Sequence, residues 1–279
     1  MDGRALAAKI RAEVADEVER LGGLGLATVL VGDDPASDIY IKRKHKAADE
    51  VGIRSNDIRL PEETSEDELL DLLAELNADD ETDGILVQLP LPGQIDEARA
   101  IRAVDAIKDV DGFHPLNAGQ LYLGQPTHVG GTPRGILRLL DEYDVELTGA
   151  RAVVVGRSDI VGKPTAHLLL QRNATVTICH SRTRNLAEET RRADVLVVGV
   201  GVAGLVTTEM VKPGAAVVDV GMNRTPDGLR GDVDPAAMEV AGLMTPVPGG
   251  VGPMTIAMLL ENAVRAARFR RGALVFPGR

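Results

Sequence analysis

Short runs of small and branched apolar residues punctuate this chain and constrain its fold more than any other feature. LATVLVG, GILVQLP, ARAVVVG, ADVLVVGVG and AAVVDVG are short and almost continuously apolar, bounded by Gly or Pro. Runs of that length and composition read as buried strands. Helical segments stand between them. Leu6, Ile10, Val14, Val18 and Leu21 recur at helical spacing. A second helix is predicted from Ala36 to Val51 and stopped by Gly52. IRSNDIRL reads as a short strand, and Ser65 with Glu68 forms a capping-box pattern opening the helix DELLDLLAEL. GILVQLP follows, closed by Pro90 and Pro92. To about residue 112 the order is β-α-β-α-β, which favours a parallel sheet.

A second series opens near Thr132-Pro133, read as an N-cap followed by Pro at the first helical position. ARAVVVG, ATVTICH, ADVLVVGVG and AAVVDVG are its strands. IVGKPTAHLLLQR and VTTEMVK are read as helices among them. Four apolar strands with helices between them read as a doubly wound dinucleotide fold. TPVPGGVGPMT (245–255) holds three prolines and three glycines, and reads as a rigid loop with exposed backbone. A final helix is expected from roughly Met254 to Phe269, with the tail RRGALVFPGR frayed.

Composition narrows the function. The 279 residues are 44% hydrophobic and 26% charged, an ordinary globular balance with room for one or two domains. Only 2% are aromatic and none is Trp, so the core must be Val, Leu, Ile and Ala. The net charge of −11 argues against general nucleic-acid binding and against anionic membranes. Cys179 is the sole cysteine, which excludes an intrachain disulfide and a Cys-based zinc site. His45, His114, His128, His167 and His180 lack metal-ligand spacing, so no metal is expected. The N-terminal segment reads as a charged amphipathic helix rather than a signal peptide, and no apolar run reaches 18 residues. The expected location is the cytoplasm.

Three groups of residues invite chemistry. In VVVGRSDIVGKP, Gly156, Ser158 and Gly162 stand between strand and helix, where small residues let a phosphate approach a helix N-terminus. A plain turn would use the same glycines. The next strand ends Cys179-His180-Ser181-Arg182, without the carboxylate that commonly meets an NAD ribose. Ser181 and Arg182, with Arg157, instead suit a 2′-phosphate, so NADP is preferred over NAD; solvated loop arginines are the plainer alternative. On the helix 36–51, Tyr40, Lys44, Ala47, Ala48 and Val51 share one stripe, whereas Lys42, Arg43, Lys46, Asp49 and Glu50 lie elsewhere. Desolvation of Lys44 would lower its pKa and make it a usable acid or base; snorkelling is the alternative. Gln88 ends an apolar strand, and Asp111 sits in the turn KDVDGFHP, near the strand ends where open parallel sheets bind ligands. A satisfied strand-end amide and a turn-forming Asp are equally good readings of these two.

Taken together, VGDDPASDIYIKRKHKAADEVG, DGILVQLPLP, KDVDGFHP, TPRGI, VVVGRSDIVGKP, CHSRT and TPVPGGVGPMT resemble the bifunctional methylenetetrahydrofolate dehydrogenase/cyclohydrolase family, in the family's order and over nearly the whole chain. The resemblance implies an α/β protein of two domains. These are a catalytic folate domain, 1–113, with the C-terminal helix 256–279 packing back on it, and a Rossmann-like NADP-binding domain, 114–255. It implies oxidation of 5,10-methylenetetrahydrofolate with NADP, then hydrolysis to 10-formyltetrahydrofolate, by a cytoplasmic homodimer. By this resemblance Lys44 is the acid/base, Gln88 holds it, Asp111 binds the pterin and Tyr40 stacks on the folate linker. Val87, Leu89, Pro90, Pro248, Gly249 and Gly250 line the folate site. Gly156, Arg157, Ser158, Ser181, Arg182, Met222 and Thr255 contact NADP. One departure is visible: the family has Pro-Cys where this chain has Gly130-Gly131, and two glycines are expected to loosen that junction. Competing readings are a dehydrogenase alone, a shikimate- or amino-acid-dehydrogenase-like enzyme, and a non-catalytic NADP-sensing module.

Overall fold

The structure, a computed structural model, describes residues 1–33, 35–226 and 228–277, without the side chains of 35–40. It divides into two compact units, one of 9–129 with 259–279 and one of 1–8 with 130–258.

The unit containing 9–129 is built on a three-stranded parallel sheet. Helix α1 (Gly3–Arg20) precedes β1 (Gly25–Val31), α2 (Pro35–Glu50), β2 (Arg54–Leu60), α3 (Glu66–Ala78) and β3 (Gly84–Val87). The strand order is β2-β1-β3, with Leu26 opposite Ser55 and Val29 opposite Val87. Every residue of β1 and β3 is buried, as continuous apolar runs demand. Strand β2 lies at one edge, and its RSNDIRL sequence is half-wet; at the other edge β3 is covered, with Ile85 bridged to Asp109. The capping box at the start of α3 forms: Ser65 Oγ accepts from Glu68 N, and Glu68 returns to Ser65 N. Leu69, Leu73 and Leu76 from that helix pack on Ala27, Val29, Ile85 and Val87. Helices α4 (Glu97–Ala103) and α5 (Pro115–Tyr122) flank the loop carrying Asp109 and Asp111.

The unit containing 130–258 holds α6 (Gly131–Glu142), β4 (Arg151–Val155), α7 (Gly162–Gln171), β5 (Thr175–Cys179), α8 (Leu186–Thr190), β6 (Val195–Val198) and β7 (Ala216–Asp219). A hairpin of β8 (Asn223–Thr225) and β9 (Gly228–Arg230) leads to the short β10 (Leu243–Met244) and to α9 (Val251–Arg270). The parallel sheet has the order β10-β7-β6-β4-β5. The chain runs outward from β4 to β5, then returns to lay β6 on the other side. That reversal creates a switch point between the ends of β4 and β6, the usual ligand position in such sheets.

Several local expectations are corrected. The N-cap of α6 is Gly130, not Thr132; Thr132 Oγ1 instead shares a hydrogen bond with Thr255 Oγ1 at 2.8 Å. VTTEMVK forms only a single 3-10 turn, Thr208–Met210. Residues 251–255 are the first turn of α9, because Gly and Pro are tolerated where helical N–H groups lack partners anyway. Gly249 and Gly250 are buried rather than exposed: a Cβ on Gly250 would lie 2.6 Å from Thr245 Cβ. The tail is not frayed up to Pro277. Phe276 is buried edge-on against Phe269, their rings 5.1 Å apart, with Ala106 and Ile107 beside them. Neither Gly130 nor Gly131 adopts a positive φ, and both are buried.

Candidate active site

Helix α2 presents one face to the core and one to water, as its periodicity predicts. Ile41, Ala47, Ala48 and Val51 are buried, while Lys42, Arg43, Lys46, Asp49 and Glu50 are exposed. Lys44 lies on the buried face and keeps only 6% of its surface. Its Nζ donates to Gln88 Oε1 at 3.1 Å. Gln88 follows the last residue of β3, and its Nε2 donates to Leu89 O at 2.7 Å, which turns the amide oxygen toward Lys44. The Leu89–Pro90 peptide is cis. Burial holds the Lys44 ammonium below the ordinary lysine range, and the negative charge of Asp111 opposes that shift. Asp111 answers in kind. Desolvation pushes its carboxyl up to about 6, Lys44 pulls it down, and Asp109 pushes it up. Burial thus draws the lysine down and the carboxyl up, the direction that makes the pair usable for proton transfer. Val87 and Asp111 line one narrow cleft with Ile101, Val104, Asp109 and Phe113.

A buried polar lattice holds the loop that carries Asp111. Asp109 is buried and accepts from Gly112 N, His114 N and Asn117 Nδ2 at 2.7–3.0 Å. Asn117 in turn accepts from Thr127 Oγ1. Asn262, fully buried on α9, donates to Val110 O at 2.7 Å and to Val129 O at 2.8 Å. Gly112 has φ +69°, and a Cβ there would strike the backbone of His128 and Val129. The Tyr40 side chain lies outside the described residues.

In the other unit, the strand-to-helix turn after β4 is built from close backbone contacts. Gly156 has φ +127°, and its missing Cβ would stand 2.4 Å from Gly199 O at the end of β6. A Cβ on Gly162 would stand 2.3 Å from Gly156 O. The two glycines therefore close the turn at the switch point and draw α7 onto it. Ser158 Oγ accepts from Val161 N and Gly162 N, capping α7. Arg157 is exposed just beyond β4, and Ser181 and Arg182 are exposed just beyond β5. Those strands are hydrogen-bonded neighbours, with Val155 opposite Cys179, so the three side chains share one edge of the sheet. His180 fixes the second turn: its N donates to Thr183 Oγ1, and its Nδ1 accepts from Arg182 N. Exposed Met222 lies over Gly252, its Sδ at 3.4 Å from where a Cβ would be. Pro248 is exposed beside buried Gly249 and Gly250.

Sequence reading misses the residues that build these loops. Asp109, Asn117 and Asn262 are separated by up to about 150 positions and share no motif. Two further buried acids, Asp219 and Asp232, sit at the end of β7 and just after β9 and accept backbone N–H groups from the loops around them. Only Asp109 stood inside a motif that could have flagged it.

Residues 1–111 match the catalytic domain of tetrahydrofolate dehydrogenase/cyclohydrolase, and residues 130–271 match the NAD(P)-binding domain of the same family. The bifunctional protein FolD of Lactococcus lactis subsp. lactis is 55% identical over 96% of each chain. FolD of Halothermothrix orenii is also 55% identical, over 96% of this chain and 98% of that one. Among solved structures, the bifunctional enzyme FolD of Campylobacter jejuni superposes with a TM-score of 0.94 at 47% identity, covering 96% of this chain and 98% of that one. The Trypanosoma brucei FolD complexed with NADP cofactor and inhibitor superposes with a TM-score of 0.91 at 39% identity, over 98% of this chain and 97% of that one. This chain belongs to the tetrahydrofolate dehydrogenase/cyclohydrolase family.

Proposed function

We propose that this chain oxidises 5,10-methylenetetrahydrofolate to the 5,10-methenyl form with NADP and hydrolyses that product to 10-formyltetrahydrofolate, with Lys44 central to the hydrolysis. The buried Lys44–Gln88–Asp111 group carries this reading. A dehydrogenase alone has no use for a desolvated lysine held by an amide, and an NADP-sensing module has no use for the group at all.

The residues present fit NADP. Gly156 and Gly162 let the turn after β4 close tightly on the N-terminus of α7, where a phosphate would be received, and Arg157, Ser181 and Arg182 supply a cationic, hydrogen-bonding edge for a 2′-phosphate. Bound NADP supplies the acceptor for the hydride that the folate expels. The chain's part in that step is to orient the rings, since the folate nitrogen supplies the electron push and no protein acid or base is needed. Hydrolysis does need proton transfer. Neutral Lys44 takes a proton from the water that adds to the methenyl carbon. The C–N5 bond then breaks and N5 receives a proton back through Lys44, with one proton released to solvent overall. Gln88 holds the amine toward the reacting carbon, and Asp111 accepts from the pterin. Tyr40, Val87, Leu89, Pro90, Pro248, Gly249 and Gly250 are assigned as further folate contacts, and Ser158, Met222 and Thr255 as further cofactor contacts.

Exposed Lys42, Arg43 and Lys46 on α2 suit the glutamate tail of a polyglutamylated folate in an otherwise acidic protein. Reversing their charge should raise KM for the polyglutamate in low salt; an unchanged KM would remove them from the reading. A homodimer is supported by the open edge of β5, where Ile178 is exposed, and by exposed Leu170 on α7. Light scattering should give twice the chain mass for the wild type and the single mass for Ile178→Lys. Among the described residues no helix is long and apolar enough to cross a membrane. A single buried cysteine suits a cytoplasmic setting.

The overall reading is tested by a spectrophotometric assay with methylenetetrahydrofolate and NADP, then NAD, followed by methenyltetrahydrofolate alone. Turnover with NADP and accelerated methenyl decay are expected. Oxidation without decay above the buffer rate would reduce the enzyme to a dehydrogenase.

A further inference from the structure

Two carboxylates are buried at the ligand edge of the second sheet, and neither is accounted for by the chemistry above. Asp232 is fully buried just after β9. Its Oδ2 accepts from Val200 N at 2.6 Å and Gly201 N at 2.9 Å, and its Oδ1 accepts from Asn223 Nδ2 at 2.8 Å. Val200 and Gly201 form the turn that leaves β6 beside Gly199, at the switch point. Asn223 follows Met222 on the segment that leaves β7. Asp219, also buried, holds Asp232 in turn. Asp219 Oδ1 accepts from Gly221 N and Asp232 N, and its Oδ2 accepts from Val233 N, all at 2.9–3.0 Å. Two glycines make room for the pair. A Cβ on Gly221 would stand 2.4 Å from Asp232 N and Oδ1, and one on Gly231 would stand 1.8 Å from Asp219 Oδ2.

We propose that Asp232 is a positioning residue for the cofactor, its carboxylate setting the loop after β6 and, through Asn223, the loop after β7 that carries Met222. The strands themselves are held by Val153, Val155, Leu196, Val198 and Val217, which need no buried charge. A buried carboxylate is costly unless its oxygens are filled with donors. Here those donors come from loops at the sheet edge where a dinucleotide lies, and two turns of that edge are bound to one side chain. The loop amides are thereby spent on Asp232, so the turn presents its carbonyls and small side chains, and not free N–H groups, to the ligand. The inference rests on the cofactor residues assigned above.

The bifunctional enzyme supplies its own control, because hydrolysis of methenyltetrahydrofolate consumes no cofactor and uses Lys44. In the full-length enzyme, Asp232→Ala should raise the NADP KM about tenfold and lower the dehydrogenase kcat, while methenyl hydrolysis stays within about twofold. Asp232→Asn keeps an oxygen for Val200 and Gly201 and should recover most of the KM. An unchanged NADP KM in Asp232→Ala, or an equal loss of both activities, would overturn the proposal. If Asp232→Ala does not fold, Asn223→Ala replaces it; a smaller rise in NADP KM with hydrolysis intact is expected, and no rise overturns the proposal. A wild-type enzyme that oxidises the folate with NAD as hydride acceptor and shows no turnover with NADP would instead sink the cofactor assignment on which the proposal stands.

Discussion

A lysine with 6% exposure on an apolar helix face is an expensive residue, and its neighbours show how the expense is contained. Gln88 accepts one of its protons, and Asp111 supplies the nearby negative charge. The arrangement taxes Asp111 as well. Its carboxyl, normally near 3.8, titrates at about 6, so the folded state binds its proton more tightly than the unfolded chain does. The stability it contributes therefore falls as pH rises from about 4 to about 6, and the loss is complete above that window. Asp111→Asn removes this linkage. Its advantage in thermal stability over the wild type should grow between pH 4 and 7, to about 3 kcal/mol at most, and then level off. A difference independent of pH in denaturation curves would show that Asp111 is not desolvated as described. The same variant should lose folate turnover.

At the scale of elements, neighbouring strand ends do the work. Arg157 leaves β4 and Ser181-Arg182 leaves β5, and the parallel pairing puts them on one edge. Arg157→Ala combined with Arg182→Ala should therefore raise the KM for NADP at least about tenfold, with little change for NAD, since each charged hydrogen bond lost to a phosphate is worth more than 1 kcal/mol. Equal effects on both nucleotides would remove the 2′-phosphate assignment. The strands, the capped helix α3 and the buried face of α2 were all legible in the sequence, because each is a periodic pattern of apolar residues within one element. Lys44 was legible for the same reason, as the exception on such a face. Asp219, Asp232 and Asn262 were not. Each takes its meaning from backbone groups brought to it by other elements, and no spacing records that. Residues 245–255 misled for a related reason: Gly and Pro mark a loop in isolation, yet Gly252 and Pro253 occupy a helical first turn that needs none of the missing donors.

At the scale of the whole molecule, the last helix is stitched into the unit that carries Lys44. Its end is fastened to buried Asp83. Arg270 donates to Asp83 Oδ1 at 2.7 Å, Arg271 donates to Oδ2 at 2.9 Å, and Gly25 N donates to Oδ2 at 3.1 Å. Asn262 lies further up the same helix and grips the peptide before Asp111. Packing of that unit thus draws on residues 259–277, far along the chain. Arg270→Met leaves a buried carboxylate short of a partner and should cost about 3 kcal/mol in chemical denaturation. A cost below about 0.5 kcal/mol would mean that the ion pair is merely superficial. The central claim, that a desolvated lysine performs the hydrolysis while hydride transfer needs only positioning, is tested most directly by Lys44→Met. Its two activities should be measured side by side on the same preparation. Methenyltetrahydrofolate hydrolysis should fall to the buffer rate while part of the NADP-dependent oxidation survives. Undiminished hydrolysis in that variant would contradict the account.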